Sequence, residues 1–235
     1  MRQKYEFMQK HLHISRIFTT FARTCRSFAV YSPRHLFREV LQMVQFLTTK
    51  ISIMKAVYIH GFAGSIHSDT ITNFRKYYPH LEWCPLEVNH LVDESVKKIN
   101  DFIAASPDVK YLIGSSLGGF YVLCANFSGR KIVINPVLNP MSSLKKAVGI
   151  NKYRGRRENG ETEFKLTMQD LFRFKAFKPQ DTPNTICHYT PHDPNLGEDI
   201  KREYQKFFSN AEMTPHLRSH FTDEHYIKHK LKDAF

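Results

Sequence analysis

The stretch Val109-Lys110-Tyr111-Leu112-Ile113-Gly114-Ser115-Ser116-Leu117-Gly118-Gly119-Phe120 decides how this chain is read. Val109–Ile113 is a short apolar run suited to a buried strand, and residues 120–127 after it read as a helix. Between them stands G-x-S-x-G, centred on Ser116. That spacing asks for a sharp strand-to-helix turn lifting the serine above the sheet, with glycines two before and two after relieving the crowding. Ser116 is therefore the candidate nucleophile. Ser115 lies outside the centre of the motif and is expected to face the strand end or neighbouring loops. The plainer reading is a tight glycine turn without chemistry.

Working outward, short β-branched and aromatic runs alternate with segments of helical period from residue 55 onward, the signature of βαβ units. Strands are predicted at 55–60, 80–86, 109–114, 131–135, 184–190 and 212–217. Val92, Val96, Ile99, Phe102 and Ile103 form a stripe that predicts a helix covering one sheet face. Ile200, Tyr204, Phe207 and Phe208 repeat that pattern, and Thr222-Asp223-Glu224 signals the start of a final helix. Residues 142–180 break the alternation with a polar, basic stretch and a helix near 168–177, and read as a small lid inserted over the sheet.

A serine needs a base to take its proton, a carboxylate to hold that base, and donors for the oxyanion. Chain order for such turns is serine, acid, histidine. Of the 13 histidines, His220 stands in the loop predicted between the last strand and the last helix. His216 and His225 remain as alternatives. The acid is expected after the strand near 184–190, where Pro191-His192-Asp193-Pro194 offers Asp193, with Glu198 and Asp199 as fallback. Asn135-Pro136-Val137-Leu138-Asn139-Pro140, one strand earlier, has no carboxylate. His60-Gly61-Phe62 ends the first strand, so the Phe62 and Leu117 amides are the candidate oxyanion donors, with His60 fixing the loop.

The formal charge of +12 is uneven: residues 1–53 hold nine Lys/Arg and two Asp/Glu, or +7. They read as a basic N-terminal extension, either an arm or a segment upstream of a true start at Met54, before a domain spanning 54–235. No secretory signal pattern is found, and no apolar run is long enough to span a bilayer. Cys25, Cys84, Cys124 and Cys187 show neither metal-ligand spacing nor disulfide density, which fits a reducing, cytoplasmic setting. Charge alone, without a recognised module, gives no case for nucleic acid. Lys145, Lys146, Lys152, Arg154, Arg156 and Arg157 could attract an acidic acyl donor, or form a solvated loop balanced by Glu158, Glu161 and Glu163.

The motifs YIHGFAGS, LIGSSLGGFYV, INPVLNP, HDPNL and SHF together resemble the YqiA-like bacterial esterases, a branch of the α/β-hydrolase superfamily, over most of residues 55–235. The resemblance implies a Ser116, Asp193 and His220 triad acting on short or acyl-CoA-type esters. This chain departs in reading Leu217-Arg218-Ser219 before His220, where the family usually shows glycines, and in placing Pro194 after Asp193. The expected fold is a truncated α/β hydrolase: a mostly parallel six-stranded sheet ordered 2-1-3-4-5-6, with helices on both faces. The expected function is hydrolysis of small-molecule carboxylic esters or acyl thioesters, with neither metal nor organic cofactor. The alternative is a non-catalytic scaffold of the same fold that binds a partner or small ligand.

Overall fold

A computed structural model of the protein describes residues 54–190 and 198–235. The expected extension at 1–53 and the loop carrying Asp193 lie outside the described residues.

Six strands form one parallel sheet: β1 (Lys55–Ile59), β2 (Glu82–Leu86), β3 (Val109–Ser115), β4 (Arg130–Ile134), β7 (Thr185–Tyr189) and β8 (Ala211–Met213), in the order β2-β1-β3-β4-β7-β8. This is the order expected from the sequence. The central strands are largely apolar because both faces are covered, as parallel sheets require. Val57, Ile59, Leu112, Val133, Cys187 and Tyr189 enter one buried cluster, while Ala56, Tyr58, Ile113, Ile132 and Ile134 enter another on the opposite face. The period-two alternation of the strand thus feeds two cores.

On the first face lie α2 (Val92–Ala105), α3 (Leu117–Cys124) and α6 (Glu198–Phe207). They contribute Val92, Val96, Ile99, Phe120, Val122 and Tyr204 to the first cluster. On the second lie α1 (Asp69–Tyr77) and α7 (Glu224–His229), with Ile71, Phe74, Tyr226 and Ile227. Trp83 stacks on Phe74 at 4.4 Å and closes that core. Seven of the eight α3 residues are buried, so this helix is apolar all round rather than striped.

Three boundaries differ from the expectation. The helix after the serine begins at Leu117, directly on the turn, and ends at Cys124, because Ala125 is already extended at φ −74° and ψ 143°. The last strand stops at Met213 rather than 217, since Pro215 has no N–H for a ladder and Leu217 N–H turns back to Thr214 O at 3.3 Å. The insertion contains a hairpin, β5 (Gly149–Lys152) antiparallel to β6 (Glu163–Leu166), between α4 (Pro140–Ser143) and α5 (Met168–Arg173). Helix α5 is started by a Thr167–Asp170 capping box.

Candidate active site

At the carboxyl end of β3 the chain turns through Ser116 at φ 53° and ψ −120°. A non-glycine residue there carries strain of about 1–3 kcal/mol, held only where its surroundings fix it. Three backbone hydrogen bonds do so: Ser116 N–H to Ile134 O at 2.9 Å, Val137 N–H to Ser116 O at 3.1 Å and Gly119 N–H to Ser116 O at 3.0 Å. The glycines of the motif are there for close backbone crossings. A Cβ on Gly118 would lie 2.3 Å from Ile59 O, and one on Gly114 would lie 2.4 Å from Gly118 O. Ser115 faces elsewhere, its hydroxyl 2.9 Å from the buried Tyr58 hydroxyl.

His220 reaches this turn from the segment between β8 and α7, with Nε2 2.9 Å from Ser116 Oγ. His216 and His225 instead meet each other, Nδ1 to Nε2 at 3.2 Å, and the Arg218 guanidinium lies 3.2 Å from His225 Nδ1. The loop needs no glycine before His220, because its carbonyls are held from outside. Asn135 Nδ2 donates to Ser219 O at 3.3 Å and to His220 O at 3.1 Å, and Thr190 Oγ1 donates to Leu217 O. Asp193 lies outside the described residues, as do the side chains of Glu198 and Asp199.

Asn135 is the residue that sequence reasoning passed over. It is fully buried at φ 44°, and its Oδ1 accepts the Thr190 N–H at 2.9 Å while its own N–H donates to His188 O at 2.9 Å. One amide therefore ties the ends of β4 and β7 to the His220 loop. The available signal was an asparagine directly after a buried strand, since Asn tolerates positive φ better than other side chains.

Phe62 and Leu117 line one narrow pocket together with Gly61. Among the described residues, no backbone–backbone hydrogen bond runs from either amide. Gly61 packs against the serine, where an added Cβ would meet Ser116 Cβ at 3.2 Å. His60 fixes this turn: Nδ1–H donates to Gly61 O at 2.9 Å, and Nε2 accepts from Val88 N–H at 3.3 Å and faces Arg157 Nη1 at 3.2 Å. Burial, with a smaller contribution from the Arg157 charge, pushes its imidazole down to about 4, so it stands neutral at physiological pH.

Arg157 corrects one expectation. Of the six basic residues singled out in the insertion, Lys145, Lys146, Lys152, Arg154 and Arg156 are exposed, but Arg157 is buried. Its Nε lies 3.3 Å from Glu87 Oε1, its Nη1 donates to Gly64 O at 3.1 Å, its Nη2 donates to Val88 O at 2.8 Å, and its guanidinium stacks over Tyr153. This charge is spent inside the protein and has none to offer a ligand. Among the described residues, no group of three His, Cys, Asp or Glu is placed to hold a metal ion, and no helix is long and apolar enough to cross a membrane.

Two solved structures share this architecture. The esterase domain of a Rhodothermus marinus protein is 15% identical, with 75% of this chain and 82% of that domain covered at a TM-score of 0.50. Est1E from Butyrivibrio proteoclasticus is 12% identical, with 77% and 87% covered at a TM-score of 0.53. At such identities the likeness establishes the α/β-hydrolase fold alone. No curated protein matches the sequence. A family model described as "Uncharacterised protein family (UPF0227)" matches residues 55–212, well over half of the chain. The protein belongs to that family, the YqiA-like esterases that its motifs resemble.

Proposed function

We propose that the protein is a serine hydrolase that cleaves carboxylic esters or acyl thioesters through an acyl-enzyme. The observation that carries this reading is the 2.9 Å contact between Ser116 Oγ, on a strained strand-to-helix turn, and His220 Nε2. The fold shared with an esterase domain and with Est1E agrees with it.

Ser116 Oγ attacks the acyl carbonyl carbon as His220 Nε2 takes its proton, and the carbonyl π pair moves to oxygen. The Phe62 and Leu117 N–H groups receive that oxyanion, and each such donor is worth about 2.7–4 kcal/mol in the transition state. As the tetrahedral species collapses, the bond to the alcohol or thiol breaks, and His220 passes its proton to the leaving group. Water, deprotonated by the same imidazole, then attacks the acyl-enzyme and releases the acid and free Ser116. Asp193, which follows β7 in chain order, is assigned the role of holding His220 and balancing its charge. No step requires a cofactor.

Turnover of p-nitrophenyl acetate by Ser116→Ala, His220→Gln and Asp193→Asn tests the assignment. Ser116→Ala is expected to lose on the order of 10^4–10^6-fold in kcat, with the other two also deeply impaired. Full activity in Ser116→Ala would overturn the nucleophile. Full activity in Asp193→Asn alone would move the acid to Glu198 or Asp199.

A further inference from the structure

Arg154 connects two segments that the reaction needs in register. Its backbone belongs to the oxyanion side, since Arg154 N–H donates to Ala63 O at 2.8 Å. Neighbouring contacts make that attachment firm: Ser65 Oγ donates to Arg156 O at 2.8 Å, and Arg157 Nη1 donates to Gly64 O at 3.1 Å. Between the two arginines the chain passes close to the turn, where a Cβ on Gly155 would meet Ser65 Cβ at 3.1 Å. The Arg154 side chain belongs to the histidine side. Its guanidinium carbon lies 5.2 Å from the centre of the Phe221 ring, and Phe221 directly follows His220, whose imidazole it meets edge-on at 5.7 Å.

The Phe221 ring is 60% exposed, so burial does little to hold it in place. Its backbone closes a local turn in which Phe221 N–H donates to Ser219 Oγ at 3.2 Å. Asn135 and Thr190 hold the loop from within the sheet, but their bonds go to carbonyls and not to the side chains that flank the imidazole. A guanidinium within about 6 Å of an aromatic face is attracted to it by the ring quadrupole. Among the described residues no carboxylate forms an ion pair with Arg154, and the ring is the partner that its charge meets.

We propose that Arg154 is a positioning residue: its guanidinium, laid on Phe221, clasps the His220 loop to the oxyanion turn and keeps the imidazole on Ser116. Asn135 fixes the loop to the sheet, and Arg154 fixes it to the segment that receives the oxyanion. The insertion then serves the reaction without touching the substrate. This inference rests on the hydrolase reading above.

The test measures kcat and KM for p-nitrophenyl acetate, the rate of fluorophosphonate labelling at Ser116, and Tm. The variants are Arg154→Gln, Arg154→Lys, Phe221→Leu, Phe221→Tyr and the double variant Arg154→Gln/Phe221→Leu. Arg154→Gln and Phe221→Leu should each lower kcat and the labelling rate about three- to tenfold, because small displacements of a catalytic group are expensive. KM and Tm should stay close to the wild type. Arg154→Lys keeps the cation and Phe221→Tyr keeps the ring face, so both should retain most of the rate. The double variant should lose no more than either single variant, as residues acting through one contact do.

Wild-type kcat and labelling in Arg154→Gln would overturn the clasp and leave the hydrolase standing. A double loss equal to the product of the single losses would also overturn it, because the two residues would then act independently. A loss confined to KM, or one matched by a fall in Tm and not rescued by lysine or tyrosine, would overturn the positioning role. A wild type that neither labels nor turns over any ester would overturn the hydrolase reading and this inference with it.

Discussion

Asn135 and His220 show how much depends on single side chains placed far apart in the chain. Ser116 and His220 meet at 2.9 Å with the His220 loop anchored by the Asn135 amide, which also holds the Thr190 N–H, and by Thr190 Oγ1 on Leu217 O. Asn135→Ala removes both donors, leaves the Thr190 N–H buried without its acceptor, and is expected to cost about 1–3 kcal/mol in stability. Turnover should fall further, by about 10^2-fold, because small displacements of a catalytic group are expensive. Asn135→Gly keeps the positive φ without the amide, so it should lose turnover to the same extent while sparing the backbone strain. Ester turnover measured against thermal unfolding separates the two effects, and an Asn135→Gly variant with full turnover would contradict the anchoring role. Ser116 was legible in the sequence because its glycines answer to backbone crossings that almost no other residue could permit. Asn135 was not, since its partners lie 55 and 84–85 residues away and only the folded sheet brings them together.

At the scale of elements, the hairpin and the oxyanion turn behave as one piece. Arg154 N–H and Arg157 Nη1 join them at Ala63 O and Gly64 O, while the buried Arg157–Glu87 pair ties the hairpin to the end of β2, where Glu87 Oε1 also accepts the Glu158 N–H at 2.9 Å. Arg157→Met leaves the Glu87 carboxylate buried without its cation and is expected to cost about 3–5 kcal/mol. Adding Glu87→Gln should recover part of that loss, and a double variant no more stable than Arg157→Met in urea unfolding would contradict the pairing. The run from Lys152 to Glu161 read as a solvated loop because its composition is that of one. Its buried member is identified only by the cavity that receives it. The four-residue strands β5 and β6 were equally hard to see, since Phe164 and Leu166 alone give too short an alternation to signal a strand. The long stripe of α2 and the runs of β1, β3 and β4 carried enough periodicity to be read directly, which is why sheet order and helix faces followed from sequence while the insertion's internal structure did not.

For the molecule as a whole, a parallel sheet covered on both faces buries groups that titrate. His60 and His188 are both pushed down to about 4, chiefly by burial, and His188 Nδ1 lies 2.5 Å from the Tyr226 hydroxyl in the second core. The unfolded chain binds protons on these imidazoles near pH 6.5, which the native protein refuses until about 4. Their contribution to stability is therefore complete above about pH 6.5 and is lost as the pH falls toward 4, by roughly 2 kcal/mol each at pH 5. Urea unfolding at pH 7 and pH 5 should show this decline, reduced in His188→Gln. Equal stability at the two pH values would mean that neither histidine is held neutral.

The central claim is that Ser116 is the nucleophile and His220 its base. Intact-mass analysis and peptide mapping after reaction with a fluorophosphonate tests it most directly. The account predicts a single adduct on Ser116 in the wild type, none in Ser116→Ala, and slow labelling in His220→Gln. An adduct at another residue, or a wild type that stays unlabelled, would contradict it.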